Sequence, residues 1–326
     1  MAQSVYRLVG SIIALGLFCF DSGAFAQGWP SKPIRWIVPY TPGGYTDIVT
    51  RRVTQKLADV FGQTIVIENR PGANSVIGAD LVAKAPPDGY TFGTVIAAHA
   101  TNATLSTKLP FDPFKDFTYV SLMSIAPLLM VAHPSLPANN IKELIAYAKA
   151  NPGKLNFGSS GVGAAAHLTM EMFKSRVGIS MVHVPYKGTS PALQDAISGQ
   201  INLMFDVVGP LIPQVRAGNL KAIAVTAKQR MPAAPEVPTM EESGVPNFVS
   251  GTWAGVLAPA GVPKDIVNRL SSEIAKILRD PGLREAFARD GYEAIGSSPE
   301  EYLAFYRAEV ALWAKVIKDS GTKAVE

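Results

Sequence analysis

The sequence predicts an α/β fold in two lobes, and three observations carry this prediction. Short apolar stretches of strand length alternate with helical patterns, the alternation occurs in two separate sets, and the second set starts near Ile125. Alternation of this kind is typical of βαβ units with a mainly parallel sheet. A chain of 326 residues is long enough for two lobes with cores of their own. The formal charge of +4 is spread without a long basic run, so no nucleic-acid partner is predicted.

The first 26 residues are predicted to be a secretory signal peptide, removed by cleavage after Ala26. Arg7 supplies the positive charge, residues 8–20 form a short apolar stretch, and residues 24–26 read Ala-Phe-Ala, a typical cleavage site. An N-terminal membrane anchor and a lipoprotein attached through Cys19 are the alternatives, although the apolar stretch is short for a membrane span. Cys19 is the only cysteine, so the mature chain would contain no disulfide, thiol nucleophile or cysteine metal site.

The stretch from Ile34 to Asp47 combines a strand, a glycine turn and the start of a helix. Residues 34–38 form an apolar strand, residues 41–44 read Thr-Pro-Gly-Gly, and a helical pattern runs from about residue 46 to 61. A helix start leaves backbone N–H groups unpaired, and these groups together with the helix dipole attract anions. The alternative is an ordinary tight turn, with Asp47 serving only to satisfy the helix N-terminus.

The remaining elements of the first set follow the same alternation. Strands are predicted at 64–68 and 90–97, with a helix between them at 75–85. In parallel α/β sheets, ligands bind beyond the carboxyl ends of the strands. This rule places residues 40–44 and 98–102 on one rim of the sheet.

The second set is predicted from residue 125 onwards. Asn140 and Glu143 form a capping-box-like pair at the start of a helix over 140–150, and Ser190 with Pro191 is predicted to start another. A proline-rich segment at 228–250 is predicted to be a connection, followed by a strand at 252–258. The other predicted elements are an apolar stretch at 128–132, strands at 155–158, 181–186, 201–205 and 220–227, and helices at 164–174, 263–279, 282–290 and 299–320.

Residues 158–167, Gly-Ser-Ser-Gly-Val-Gly-Ala-Ala-Ala-His, form a second candidate anion loop, with a plain strand–helix turn as the alternative. The spacing of Gly161, Gly163 and Ala166 matches a dinucleotide fingerprint only loosely, because the following strand carries no acidic residue for the ribose. Neither serine of the loop has glycines at both flanking positions of a G-x-S-x-G motif, which argues against a serine hydrolase.

The polar side chains near these loops allow more than one role. The four histidines show no metal-ligand spacing, so His167 and His183 are predicted to be packed or hydrogen-bonded rather than ligands. Asp206 ends a strand on the predicted rim, where it either contacts a ligand or caps the next helix. Tyr186 and Trp253 either line a pocket or belong to the core, which is the usual place for large aromatic residues. No metal and no cofactor are predicted.

Together, these stretches resemble the periplasmic solute-binding proteins of the tripartite tricarboxylate transporter family, the Bug proteins. The similarity runs from Trp29 to the C-terminal helix, and its motifs are specific in combination. They are WPSKPIRWIVPYTPGG at 29–44 followed by Asp47, ENRPGA at 68–73, PPDGYTFGT at 86–94, NPGKLNFGSSGVG at 151–163 with His167, HVPYKGTSPALQDAISGQINLMFD at 183–206, LKAIAVT at 220–226, VPTMEESG at 237–244 and WAGVLAPAGVP at 253–263.

The resemblance implies a type II-like periplasmic binding protein whose two lobes are joined by crossing strands. Lobe 1 would comprise 27–125 plus 251–326, and lobe 2 would comprise 126–250. The protein would bind a small carboxylate, such as a di- or tricarboxylate, an acidic amino acid or an aromatic acid. It would act as a monomer without catalysis and deliver the ligand to membrane transporter subunits. The implied ligand-binding residues are Tyr40, Thr41, Gly43, Gly44, Ala98, His99, Ser159, Ser160, Gly161, Gly163, His167 and Asp206.

Two departures from the family pattern bear on ligand choice. Asn74 and Ser75 occupy positions where the family usually has two glycines, and Tyr45 follows the glycine turn at a variable position. Two alternative functions remain open: a sensor acting through a membrane signalling partner, and a secreted hydrolase or lyase using Ser160 or His167.

Overall fold

The structure, a computed structural model, describes residues 28–106 and 108–323. The predicted signal peptide and its cleavage site therefore lie outside the described residues. Within the two described ranges, no helix has both the length and the apolar character needed to cross a membrane.

The first set of predicted elements is present, with two additions. Residues 97–105 form a helix that was not predicted, and the apolar stretch predicted at 128–132 is the end of a strand that starts at Phe117. The elements are β1 (Ile34–Val38), α1 (Tyr45–Phe61), β2 (Ile65–Asn69), a 3-10 turn (Ala73–Ser75), α2 (Val76–Ala83), β3 (Thr91–Val95), α3 (Ala97–Leu105) and β4 (Phe117–Ala132).

The second set also matches its prediction, apart from one helix start and one added helix. The helix predicted to begin at Ser190 includes Thr189 and has Gly188 at its N-cap, so the assignment of Ser190 as the cap was wrong. A helix that was not predicted follows Val207. The elements are α4 (Ile141–Ala150), β5 (Asn156–Ser159), α5 (Ala165–Val177), β6 (Val182–Pro185), α6 (Thr189–Ile197), β7 (Leu203–Val207), α7 (Val208–Arg216) and β8 (Lys221–Val225).

The last part of the chain consists of a strand, a short edge strand and three helices, as predicted apart from the edge strand. These elements are β9 (Gly251–Pro259), α8 (Lys264–Leu278), α9 (Pro281–Arg289), β10 (Glu293–Ala294) and α10 (Pro299–Ser320).

Local capping explains where several of these helices begin. The side chain of Asn140 accepts a hydrogen bond from the Glu143 amide at 2.9 Å, and Glu143 accepts one from the Asn139 amide at 2.7 Å. The predicted capping pair of α4 is therefore confirmed. Ser298 and Glu301 form a complete capping box at the start of α10. Each pair satisfies amide groups that would otherwise have no partner in the first turn.

The direction of the strands makes the two halves of the sheet face each other. In the first lobe, β1 pairs in parallel with β2 and β3. Strands β3 and β4 are both antiparallel to β9, so β4 runs in the direction of β1 and β3. In the second lobe, β5, β6 and β7 are parallel to one another, and β7 is antiparallel to β4. The carboxyl ends of the two strand sets therefore point towards each other.

The long strand β4 belongs to both lobes. Its first part, from Phe117 to Pro127, pairs with β9, and its last part, from Leu128 to Ala132, pairs with β7 and β8. The full strand order is β2-β1-β3-β9-β4-β7-β5-β6, with β8 and β10 also paired to β4. The two-lobed α/β class is therefore confirmed, and the crossing strand adds antiparallel pairs to the parallel sets. Through β9, the end of β3 lies level with Leu122 of β4, and the end of β7 pairs with Leu128, so residues 122–128 of β4 span the gap between the facing strand ends.

Candidate functional site

Facing strand ends bring several helix N-termini to one gap. In the first lobe, α1 and α2 follow the carboxyl ends of β1 and β2, and α3 follows β3. In the second lobe, α5, α6 and α7 follow β5, β6 and β7. Each helix start carries unpaired N–H groups and the positive end of its dipole. Six such starts directed at one gap favour an anionic ligand there.

Asp47 stabilises the glycine turn of the first lobe, residues 41–44, through a hydrogen bond. The Gly43 amide donates to the Asp47 carboxylate at 2.9 Å, and Arg51 and Asn69 donate to the same carboxylate at 2.8 and 3.0 Å. Burial alone would raise the pKa of Asp47, but these hydrogen bonds outweigh it and the pKa lies below its usual value. Asp47 thus fixes the turn through the Gly43 amide, which precedes the N-cap of α1, and its carboxylate forms no hydrogen bond to the first amides of the helix among the described residues.

The rest of this turn is open to solvent. Thr41 and Gly44 are exposed, and Gly44 is the N-cap of α1 without any side-chain capping bond. The Gly44 carbonyl accepts the Ile48 amide, which leaves the earlier amides of the helix directed outwards. Tyr40 precedes the turn, and its hydroxyl is enclosed with no hydrogen-bond partner among the described residues. Burial raises the pKa of the Tyr40 hydroxyl, so it stays protonated.

Hydrogen bonds within the second loop determine its shape. The Ser159 hydroxyl donates to the Gly161 carbonyl at 3.0 Å and lies 2.7 Å from Nε2 of His183. The Ser160 carbonyl accepts the Gly188 amide at 3.1 Å, which ties this loop to the start of α6. Ser159 is fully buried, whereas Ser160 and Gly161 are partly exposed. Of the loop's two serines, Ser160 is thus the one that a ligand can reach.

His167 and His183 form a stacked pair beneath this loop. Their ring centroids are 3.8 Å apart, and Phe157 packs against both rings, 4.9 Å from His183 and 6.2 Å from His167. Nδ1 of His167 accepts the Gly163 amide at 3.2 Å. Burial lowers the pKa of His167 to about 3 and that of His183 to about 4, so both rings are neutral at physiological pH. The predicted packing and hydrogen-bonding role of both histidines is confirmed.

His99 lies in an aromatic cluster. Its ring stacks on Phe111 at 5.7 Å and packs against Phe117 and Tyr306 at 5.1 and 5.4 Å. Burial lowers its pKa to about 3, and neither ring nitrogen has a hydrogen-bond partner among the described residues. Ala98 is also buried, on the same helix. Like Ser159, these two predicted site residues present almost no surface to a ligand.

Asp206 ends β7 on the rim of the second lobe, where the sequence placed it. Its carboxylate accepts the Thr189 hydroxyl at 2.7 Å and the Val207 amide at 2.8 Å, so it joins the starts of α6 and α7. Burial raises its pKa to about 6, and these two hydrogen bonds only partly oppose the change. Asp206 also adds to the effects of burial and Asp290 that raise the pKa of Tyr292 to about 12.

Direct contacts join the two lobes at the other end of the gap. The Thr101 hydroxyl donates to the Gly163 carbonyl at 2.9 Å. Beside it, Asn74 and Asn102 exchange two hydrogen bonds, at 2.9 and 2.8 Å. Asn74 lies in a turn where three successive non-glycine residues, Ala73 to Ser75, have positive φ. Sequence reasoning missed Thr101 and Asn102. The departure at Asn74 and Ser75 was the one available signal for this contact.

The chemistry for hydrolysis is incomplete in this gap. Ser159 and His183 are within hydrogen-bond distance, but the serine is buried and donates to a backbone carbonyl. No carboxylate of the described residues bonds to the ring of His183, so nothing orients it as a catalytic base requires. Residues 28–106 and 108–323 also contain no group of three side chains suited to holding a metal ion.

Trp253 belongs to the core and also lines a cavity beside it, and Tyr186 forms a hydrogen bond within the second lobe. Trp253 is 1% exposed, and its indole donates to Glu309 at 2.8 Å. Tyr186 is half-buried and donates to Asp195 at 2.6 Å.

Comparison with known proteins adds a family to this geometry. A family model described as "Tripartite tricarboxylate transporter family receptor" matches residues 49–322. BugT of Bordetella pertussis is 35% identical over 318 residues, which is 96% of this chain and 98% of BugT.

Three solved structures are similar to this chain in both fold and sequence. R. palustris Rpa4515 with adipate is 36% identical with a TM-score of 0.86, and the match covers 91% of this chain and 100% of that one. The periplasmic binding protein BugD is 36% identical with a TM-score of 0.81, covering 90% and 99%. MatC from Rhodopseudomonas palustris with bound malate is 32% identical with a TM-score of 0.80, covering 88% and 99%. This chain therefore belongs to the tripartite tricarboxylate transporter receptor family, whose Bug members are solute-binding proteins and not enzymes.

Proposed function

We propose that this protein is exported, captures a small carboxylate in the gap between its lobes and delivers it to a tripartite tricarboxylate-type membrane transporter. The observation that carries the proposal is the set of facing helix starts, because their N–H groups and dipoles favour an anion. Adipate in Rpa4515 and malate in MatC support a carboxylate as the ligand. Export rests on the signal-peptide pattern before Gln27 and on relatives described as periplasmic.

The proposed contacts come from both loops. From the first lobe we infer Tyr40, Thr41 and Gly44, and from the second Ser160 and Gly161. Asp206, which joins the starts of α6 and α7, would also contribute. Gly43, Ser159 and Gly163 would act by shaping the loops, since their polar groups are already engaged. The enclosed rings of His99 and His167 would support the site from behind.

The lobe boundaries of the proposal are those of the resemblance, with 27–125 plus 251–326 forming one lobe and 126–250 the other. Residues 125–128 of β4 and the proline-rich return segment at 228–250 would form the hinge. Ligand that touches both lobes stabilises the closed state through its differential affinity for that state. A monomer would leave this hinge motion free.

A thermal-shift screen of the purified protein tests the binding proposal. We expect one acid among citrate, succinate, malate, adipate, glutamate, nicotinate, benzoate and terephthalate to raise the melting temperature, because it binds only the folded state. Gly44→Trp and Ser160→Trp should abolish the shift by filling the gap. Gly44 suits this test, since only the Thr41 carbonyl lies within 4 Å of its Cβ position, at 3.9 Å. Ser272→Trp, on the exposed face of α8, is the matched control. A shift that survives both cleft variants would contradict the site.

Deletion of the gene distinguishes transport from sensing, because a transport protein is needed for uptake of the acid and a sensor is needed for the transcriptional response to it. We expect deletion to abolish uptake of the radiolabelled acid found in the screen, and the wild-type gene to restore it, whereas Gly44→Trp should not. If uptake persists while the transcriptional response to the acid disappears, the protein is a sensor and the transport proposal fails.

A further inference from the structure

A second cavity lies at the hinge and contains none of the residues proposed for the carboxylate site. Its volume is about 870 Å³, which is sufficient for a small organic molecule. First-lobe helices α9 and α10 line one side, and residues 227–232 of the return segment line the other. Ile125 and Pro127 of β4 form part of its floor. An occupant would therefore touch both lobes.

The cavity is mainly apolar. Phe305 and Leu312 of α10, with Val249 before β9, contribute apolar walls. Leu312 and Val249 are 38% and 42% exposed, so both are accessible to an occupant of the cavity. Such walls suit the hydrocarbon body of a ligand.

One half-buried carboxylate, that of Glu309, interrupts the apolar lining. Oε2 of Glu309 accepts hydrogen bonds from the indole nitrogens of Trp253 and Trp313, both at 2.8 Å. The two tryptophans are each 1% exposed and form part of the cavity wall, so they hold the carboxylate against that wall. No hydrogen bond among the described residues reaches the other oxygen, Oε1. The two indoles therefore fix the carboxylate in one orientation and leave one oxygen free.

Glu309 is half-buried and lacks the cationic partner that a largely buried carboxylate usually has. Among residues 28–106 and 108–323, no lysine or arginine forms an ion pair with it, and its polar neighbours are the two neutral indoles. Burial raises the pKa of Glu309, and the indole bonds oppose this only in part. Burying a carboxylate is costly unless a cation or several donors compensate for the lost water. An ammonium group at Oε1 would supply that compensation.

Charged side chains of both signs line the cavity: Lys228, Arg230 and Arg284 together with Glu285 and Glu293. Arg230 is paired with Glu242 at 3.0 Å, and Glu285 is paired with Arg289 at 3.9 Å. The carboxylate of Glu309, held by the two indoles, is then the acceptor that is fixed in place for a cationic ligand. We infer that this hinge cavity is a second binding site, for a small organic ammonium ion with an apolar body, whose charged end bonds to Glu309.

Benzylammonium is a suitable probe, and benzyl alcohol is its uncharged counterpart. In calorimetric titrations we expect one benzylammonium site on the wild-type protein and binding of benzyl alcohol weaker by about tenfold or more, as a charge-assisted hydrogen bond implies. Glu309→Gln should weaken benzylammonium binding by a similar factor. Glu300→Gln, at an exposed position of the same helix, is the matched control and should leave it unchanged.

Val249→Trp is a second test that leaves Glu309 in place, so the inference does not depend on whether the Glu309 variant folds. The position is exposed, so an indole there narrows the mouth without entering the core. It should also abolish benzylammonium binding. The inference is overturned if benzylammonium does not bind at millimolar concentration, if Val249→Trp leaves its affinity intact, or if benzyl alcohol binds equally well. These titrations need no carboxylate, so their outcome is independent of the proposed function.

Discussion

Replacing Gly163 with alanine is expected to weaken carboxylate binding by about 100-fold, because overpacking a contact costs a few kcal/mol. A Cβ at this position would lie 2.6 Å from Cδ1 of Leu105 and 3.3 Å from Nδ2 of Asn74. Leu105 and Asn74 belong to the first lobe and Gly163 to the second. The added methyl group therefore acts only where the lobes touch, and it penalises the closed state more than the open one.

Gly153→Ala is the matched control for this variant. Both glycines are in turns of the second lobe with similar positive φ, +80° at Gly163 and +72° at Gly153. No atom lies within 4 Å of the Cβ position at Gly153. The backbone strain of placing alanine at positive φ is thus common to both variants, whereas the contact with the first lobe is specific to Gly163. Calorimetry with the acid that gives the largest thermal shift measures the difference between them.

A rescue variant separates blocked closure from damage to the loop. Leu105→Ala in the Gly163→Ala background removes the side chain that the new methyl group meets, and most of the affinity should return. In the presence of the acid, small-angle scattering should report a larger radius of gyration for Gly163→Ala than for the wild-type protein. Equal affinities for Gly163→Ala and Gly153→Ala would contradict the role of this contact in closure.

The loops and helix starts of the site could be predicted because their signals are local. Pro42, Gly43 and Gly44 predict a turn. Asp47 lies four residues after Gly43, and its carboxylate accepts a hydrogen bond from the Gly43 amide. The alternation of apolar segments with helical patterns gave the two strand sets. The direction in which the sets face each other follows once β4 is known to join both.

Elements buried on every side left no periodic signal. Helix α3 is composed mostly of small residues, and seven of its nine residues are buried, so it shows no apolar stripe. Strand β4 is buried on both faces and contains Ser121, Ser124 and Pro127, which hide its length. His99 illustrates the same limit for the site. Its surroundings come from Phe111, Phe117 and Tyr306, and the contact with Tyr306 depends on a helix two hundred residues further along the chain.

Asp206→Asn is expected to stabilise the unliganded protein at pH 7.5 and to remove a pH dependence of its stability. The pKa of Asp206 is raised from 3.8 to about 6 by burial. Below pH 3.8 the carboxyl is protonated in both folded and unfolded states and costs nothing. As the pH rises from 3.8 to 6, the unfolded state loses its proton first, so the free energy of unfolding falls. Above pH 6 the loss is complete, at most about 3 kcal/mol for this shift.

Urea unfolding at pH 5 and pH 7.5 measures this effect. The gain from Asp206→Asn should be larger at pH 7.5 than at pH 5, and smaller than the full loss, since an amide replaces a carboxylate as the acceptor of the Thr189 and Val207 hydrogen bonds. Asp59→Asn, at an exposed position of α1, controls for general charge effects. A variant less stable than the wild type at pH 7.5 would mean that the ionised carboxylate is well compensated by these bonds.

Ligand affinity gives a second and separable readout of Asp206. If a bound carboxylate lies beside it, ionised Asp206 repels the ligand and protonated Asp206 can donate a hydrogen bond to it. Affinity for the acid should then rise as the pH falls from 7.5 to 5.5, and Asp206→Asn should bind with a nearly constant affinity over that range. If the variant changes the pH dependence of stability but not that of binding, Asp206 supports the starts of α6 and α7 without touching the ligand. The wild-type affinity would then follow only the titration of the acid itself. Comparing the two pH profiles therefore distinguishes the ligand-contact role of Asp206 from its capping role, the choice that the sequence left open.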